Sequence, residues 1–101
     1  MITARWMAPL ALEIRGHAGY AEKGKDIVCA AVSVLWGTLL ASLDAEEREG
    51  HGTVEVKDCT VYYHPKKYWQ EKADDIFGVV WRGILLLAVS YADYVKAERT
   101  F

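Results

Sequence analysis

Apolar and polar residues alternate most clearly near the N-terminus of this chain. Leu10, Leu12 and Ile14 alternate with Ala11, Glu13 and Arg15, a period-two pattern that buries one face of a strand. Residues 2–7 read as a partner strand to residues 10–16, with Ala8-Pro9 as the turn between them. Three glycines within the nine residues from Gly16 to Gly24 predict a loop. Asp26 then offers a side-chain acceptor to the free N–H groups of a first helical turn. A helix is expected from about Ile27 to Asp44, followed by a polar, Glu-rich connection over Ala45 to Gly52. Thr53 to His64 reads as two strands or one bent pair, ended by Pro65. Gln70 to about Arg99 reads as one long helix, strongly apolar from Ile76 to Val89. The order is ββαββα, which implies an α+β fold: two helices packed on a mixed or antiparallel sheet, in a single domain spanning residues 1–101.

Composition narrows the class. The 101 residues suffice for one core, and 52% apolar with 26% charged residues is a folded composition. A formal net charge of −2 provides no basic excess for a nucleic-acid backbone, so no direct nucleic-acid partner is expected. Ile27 to Leu43 and Gly83 to Ala92 are uncharged. The first falls short of the roughly 20 apolar residues a bilayer span needs, and extending the second back to Ile76 admits Arg82. Both are read as helices of a soluble core or a dimer interface, with no membrane partner. The N-terminus lacks the basic-then-apolar order of a secretory signal. Its two cysteines are therefore expected as free thiols in the cytoplasm.

The chemistry concentrates near Asp26. With Asp26 as N-cap, Cys29 is the third helical residue, where the helix terminus favours a thiolate over a thiol. The same N–H groups are candidates for holding an oxyanion. A thiol nucleophile usually has a histidine within reach. His17 ends a strand and is separated from Cys29 only by the glycine loop. His51, between glycines, reads as solvated loop, and His64 precedes Pro65 at a strand end. Chemistry alone favours His17 without deciding among the three. Ser33 lies one turn beyond Cys29 on the same face and suits either a substrate groove or close helix packing. Cys59 reads as packing, although a Cys29–Cys59 pair would make a redox sensor. No close Cys or His pair points to a metal, so no metal or cofactor is expected. The chain contains no asparagine, which excludes a Cys-His-Asn triad. Asp26 is the nearest carboxylate that could orient His17, but its capping role competes.

These residues together resemble a known family. Gly16-His17-Ala18, Gly24, and Asp26-Ile27-Val28-Cys29-Ala30-Ala31-Val32-Ser33 are similar to the signature of the ribosomal-processing cysteine proteases called Prp. The resemblance implies Cys29 as catalytic cysteine and His17 as catalytic histidine, with Asp26, Ser33, Gly16 and Gly24 shaping the site. It also implies a homodimer that removes a short N-terminal extension from a large-subunit ribosomal protein. The alternatives are a phage-type protease acting on a capsid-like protein, since related proteins occur in phages, and a non-catalytic dimeric peptide-binding module.

Overall fold

A computed structural model describes all 101 residues. Strands β1 (Ile2–Met7) and β2 (Ala11–Gly16) form an antiparallel hairpin in which Trp6 lies opposite Leu12 and Ile2 opposite Gly16. The period-two reading of β2 holds only in part: Leu10 and Leu12 are buried, but so is Ala11, and Ile14 is no better covered than Glu13 as the strand runs out to its open end. The alternation is clean in β1, where Ile2, Ala4 and Trp6 are buried and Thr3, Arg5 and Met7 only partly covered.

Helix α1 runs from Ile27 to Arg48, four residues beyond the expected end at Asp44. Ala45, Glu46, Glu47 and Arg48 are good helix formers. An ion pair one turn apart, Arg48 to Asp44 at 2.7 Å, also supports the last turn. The expected polar connection thus shrinks to three residues, with Gly50 in the left-handed region (φ 78°) just past the helix. At this length α1 has the size and apolarity of a membrane span. In the fold it packs on the sheet through Val28, Val32, Leu39 and Leu43.

Thr53 to His64 resolves as two strands, β3 (Gly52–Lys57) and β4 (Thr60–Pro65), in an antiparallel hairpin. Its two-residue turn, Asp58-Cys59, places Asp58 at φ 58°, as tight hairpins require. After a short 3₁₀ turn (Lys67–Trp69), helix α2 occupies Gln70–Ser90. The long helix expected to reach Arg99 therefore stops early. Tyr91 caps it through its N–H to the Leu87 carbonyl, and Tyr94 and Val95 both bond back to the Tyr91 carbonyl. Val95–Arg99 then forms a fifth strand, β5, parallel to β1.

The sheet order is β3-β4-β2-β1-β5, with both helices on one face. The main core gathers Trp6, Leu12, Leu39, Leu43, Tyr63, Phe77, Trp81 and Ile84 between sheet and helices. Gly83 lets the helices approach, since a Cβ there would lie 2.6 Å from the Leu35 side chain. A smaller cluster, Ile2, Ala18, Val28, Val32 and Val95, packs at the N-terminal end of α1. The outer sheet face is polar, with Arg15 bridging Glu13 at 3.0 Å and Asp58 at 2.8 Å.

His51 is not the solvated loop residue expected. Its ring stacks on Trp69 with 3.4 Å between centroids, and its Nδ1 lies 3.1 Å from Glu46. Glu46, only 4% exposed, also bonds Lys72 at 2.8 Å. This buried carboxylate ties the end of α1 to the start of β3 and the first turn of α2. Burial opposes its ionisation, but Lys72 and then His51 outweigh burial and hold it below its ordinary 4.5. A folded-state value below the unfolded one stabilises above the unfolded value and is lost as pH falls through the folded one. The wild-type melting temperature should therefore drop on acidification below about pH 4.5 more steeply than that of Glu46→Gln, as calorimetry will show. At neutral pH, Glu46→Ala should cost roughly 1–3 kcal/mol by denaturant titration, because it leaves the largely covered His51 ring without its acceptor, while Lys72 returns to solvent.

Candidate active site

The local sequence builds the site from two ends. Asp26 adopts an extended conformation (φ −84°, ψ 97°), and its Oδ1 accepts from the N–H groups of Val28 and Cys29, both at 3.0 Å. Its Oδ2 accepts from the Tyr20 N–H at 3.1 Å. The Cys29 N–H lowers the Asp26 carboxyl most. With the Tyr20 and Ala21 N–H groups it outweighs burial and keeps the group below its ordinary range. One carboxylate thus starts the helix and closes the glycine loop onto it.

Two expectations change here. Asp26 has both oxygens engaged with main chain, so it does not orient His17, and no other hydrogen bond holds that ring. The first-turn N–H groups of Val28, Cys29 and Ala30 are all taken up by Asp26, the last by its carbonyl at 3.0 Å. These three are therefore not free to hold an oxyanion, which leaves the Ile27 N–H as the unbonded donor of the first turn. The main-chain donor directed at the sulfur is one the sequence reading did not single out: the Ala18 N–H, 3.4 Å from Cys29 Sγ. Ala18 is 4% exposed and is packed with Ile2, Val28 and Val32, which fixes that N–H in place.

The loop itself is anchored. The Tyr20 ring meets Tyr91 and Tyr94 edge-on, with centroids 5.7 and 5.2 Å apart, so the α2–β5 connection supports it. Gly16 is required at its root: φ is 91°, and a Cβ would overlap the Met1 carbonyl oxygen. Gly24, also left-handed at φ 89°, lies at the far end of the loop.

Cys29, half-buried, and His17, exposed, line one cavity of about 390 Å³ together with Gly16, Ser33, Ile14 and Trp36. No hydrogen bond joins the two side chains. A second opening, lined by His17, Gly24, Asp26 and Cys29, continues the cleft on the loop side. Ser33 faces the cavity as its spacing from Cys29 requires. Asp58 and Cys59, from the β3–β4 turn, close the far wall, so Cys59 shares the cavity of Cys29 instead of filling a core. Its Sγ donates weakly to Asp58 at 3.8 Å. Their arrival was not legible, because the turn lies about thirty residues away in sequence and only the sheet brings it here. His51 and His64 lie elsewhere, the first on Glu46 and the second exposed in β4.

Size alone does not select this cleft. A cavity of about 580 Å³ near the other end of β1 is lined by Trp6, Trp81, Arg82 and Arg99, but it holds no cysteine or histidine. The chemistry selects it: a thiol at a capped helix start, a main-chain donor on its sulfur, and a histidine on the same wall. Such a site can form and use a thiolate nucleophile.

Comparison with known proteins places the whole chain. An essential ribosomal processing protease Prp from S. aureus, solved with a covalently linked product peptide, superposes with a TM-score of 0.76 at 18% identity, covering 99% of this chain and 100% of that one. The same protease with a substrate peptide gives a TM-score of 0.66 over the same shares. The Streptococcus mutans protein SMU.848 is 31% identical, with a TM-score of 0.63, covering 97% of this chain and 90% of that one. No curated protein matches. Residues 2–96 match the family described as cysteine protease Prp, and the chain belongs to that family.

Proposed function

We propose that this cysteine protease uses Cys29 as nucleophile and His17 as base, and that it removes a short N-terminal extension from a large-subunit ribosomal protein. The observation that carries the reading is the Ala18 N–H on Cys29 Sγ at the capped start of α1, in a cavity shared with His17. The S. aureus relative, described as a ribosomal processing protease, supports the substrate class.

In this reading His17 accepts the Cys29 proton, and the thiolate adds to the scissile carbonyl. The Ala18 N–H stabilises first the thiolate and then the oxyanion that forms beside it. Collapse of the intermediate expels the amine, which takes its proton from His17, and water then releases the acyl group from sulfur. No orienting residue holds His17, so the ring completes its contact with Cys29 when substrate fills the cavity. The enzyme works in the cytoplasm, where both thiols stay reduced.

The outward face of the two helices supports a homodimer. Val34 on α1 and Val79, Leu86 and Val89 on α2 are 63–82% exposed, an apolar surface that a second copy would cover.

Cys29→Ala and His17→Ala should each lower cleavage of the ribosomal precursor from the same genome by roughly 10³-fold or more while the fold is kept. Intact mass spectrometry reads both products, and cleavage retained by Cys29→Ala would sink the proposal. Cleavage of a capsid-type precursor in its place would assign the substrate to the phage relatives. Iodoacetamide should label Cys29 ahead of Cys59 in the native protein below neutral pH; equal, sluggish labelling contradicts an activated thiol. Leu86→Glu should convert a dimer to a monomer in sedimentation, and an unchanged mass would remove the helix face as the interface.

A further inference from the structure

Strand β2 outruns the strand beside it. Its register against β4 stops at Glu13 opposite Thr60. One more bond, from the Ile14 N–H to the Cys59 carbonyl at 3.0 Å, ends that ladder. On its other side β1 accompanies β2 as far as Gly16, opposite Ile2. The last residues of β2 thus have one partnered edge and one open edge.

The two-residue period of a strand decides which groups face the opening. Leu10 and Ile14 both bond toward β4, the former through its carbonyl to the Tyr63 N–H at 2.9 Å. Gly16 has the same parity, so its N–H points to the same side, beyond the end of β4. Cys59 accepts from Ile14 but does not donate back, which leaves the Ile14 carbonyl unbonded at the same edge. Ile14 and Gly16 both line the cavity that holds Cys29 and His17. An acceptor and a donor, two residues apart on an open strand edge, form a template for an extended chain.

We propose that the substrate binds as a short added strand on this edge, donating a main-chain N–H to the Ile14 carbonyl and accepting from the Gly16 N–H. The inference rests on the protease reading and specifies how its substrate is held. The bonds are main chain to main chain, so they select an extended peptide and leave side-chain preference to the rest of the cavity wall. They also set the peptide directly beside His17, the residue after Gly16, with Cys29 on the same cavity. Gly16 is then a positioning residue, holding substrate in line with the nucleophile.

The test uses a synthetic peptide spanning the N-terminal extension of the ribosomal protein from the same genome. Replacing the Arg15–Gly16 amide by an ester, through chemical ligation of the full chain, removes the Gly16 N–H and no side chain. kcat/KM should fall about tenfold, mainly through KM, while iodoacetamide labels Cys29 at the wild-type rate. Unchanged kcat/KM overturns the proposal. If the ester chain does not fold, an N-methyl scan of the peptide against the wild-type protein decides. One sensitive position apart from the scissile bond, flanked by tolerant neighbours, supports pairing with the Ile14 carbonyl; a flat scan overturns it. A parent peptide that is not cleaved at all refutes the ribosomal-substrate reading, and with it this inference about how that substrate is held.

Discussion

The Asp26 carboxylate is the interaction on which the site depends. Its two oxygens take N–H groups from both sides of a chain reversal, Val28 and Cys29 on the helix and Tyr20 on the loop. Main-chain donors left bare at a helix start cost free energy and can be met in several ways. Meeting them with one carboxylate that also holds the loop couples two problems into one. The helix cannot start at Ile27 without drawing the loop over it, and the loop carries His17 and Ala18. Geometry that looks catalytic is therefore first a consequence of capping. The same economy removes a function: N–H groups consumed by the cap cannot bind an oxyanion, and the Ala18 N–H is left as the donor beside the sulfur.

Polarity is divided between the two ends of α1. Its N-terminal end is apolar beneath the site, where Val28 and Val32 pack with Ala18 and Val95. Its C-terminal end holds a buried charge, Glu46, shared by His51 and Lys72. A buried carboxylate tolerates only one arrangement of its partners. Tyr63, next to it, is held above its ordinary value by burial and then by the charges of Glu46 and Glu47. The rigid end of the helix is thus the one farthest from the thiol, and it fixes the axis along which Cys29 is presented.

How far sequence reading reached follows from the range of each interaction. The cap, the hairpin β1–β2 and the helical phase of Cys29 and Ser33 are set by neighbours within a few residues, and all were legible. The end of α2 was not. No glycine or proline marks the stop after Ser90, and the change from the uncharged Gly83–Ala92 run to Asp93, Lys96, Glu98 and Arg99 fits the exposed last turns of a helix as well as a strand. What ends the helix is pairing of Val95–Arg99 with β1, more than ninety residues earlier in the chain, and that competition is invisible to a local pattern. His51 was misread for a related reason: its glycine neighbours suggest solvent, while its partners Glu46 and Trp69 come from α1 and from the 3₁₀ turn before α2. The histidine that mattered was chosen by family resemblance, since residue chemistry left three open.

This difference in range also explains why a motif of under twenty residues does not make the site alone. Every side chain proposed to react with or hold substrate lies between Ile14 and Ser33. Their supports do not. Val95 underlies Ala18, Tyr91 and Tyr94 brace Tyr20, and Cys59 ends the ladder that leaves the β2 edge open. Moving β4 two residues further along β2 would cover Ile14 and Gly16 and fill the cavity wall. Removing β5 would take away the floor beneath the loop. The reactive segment is local because chemistry needs neighbours, and its exposure is global because only the stagger of the whole sheet leaves those neighbours uncovered.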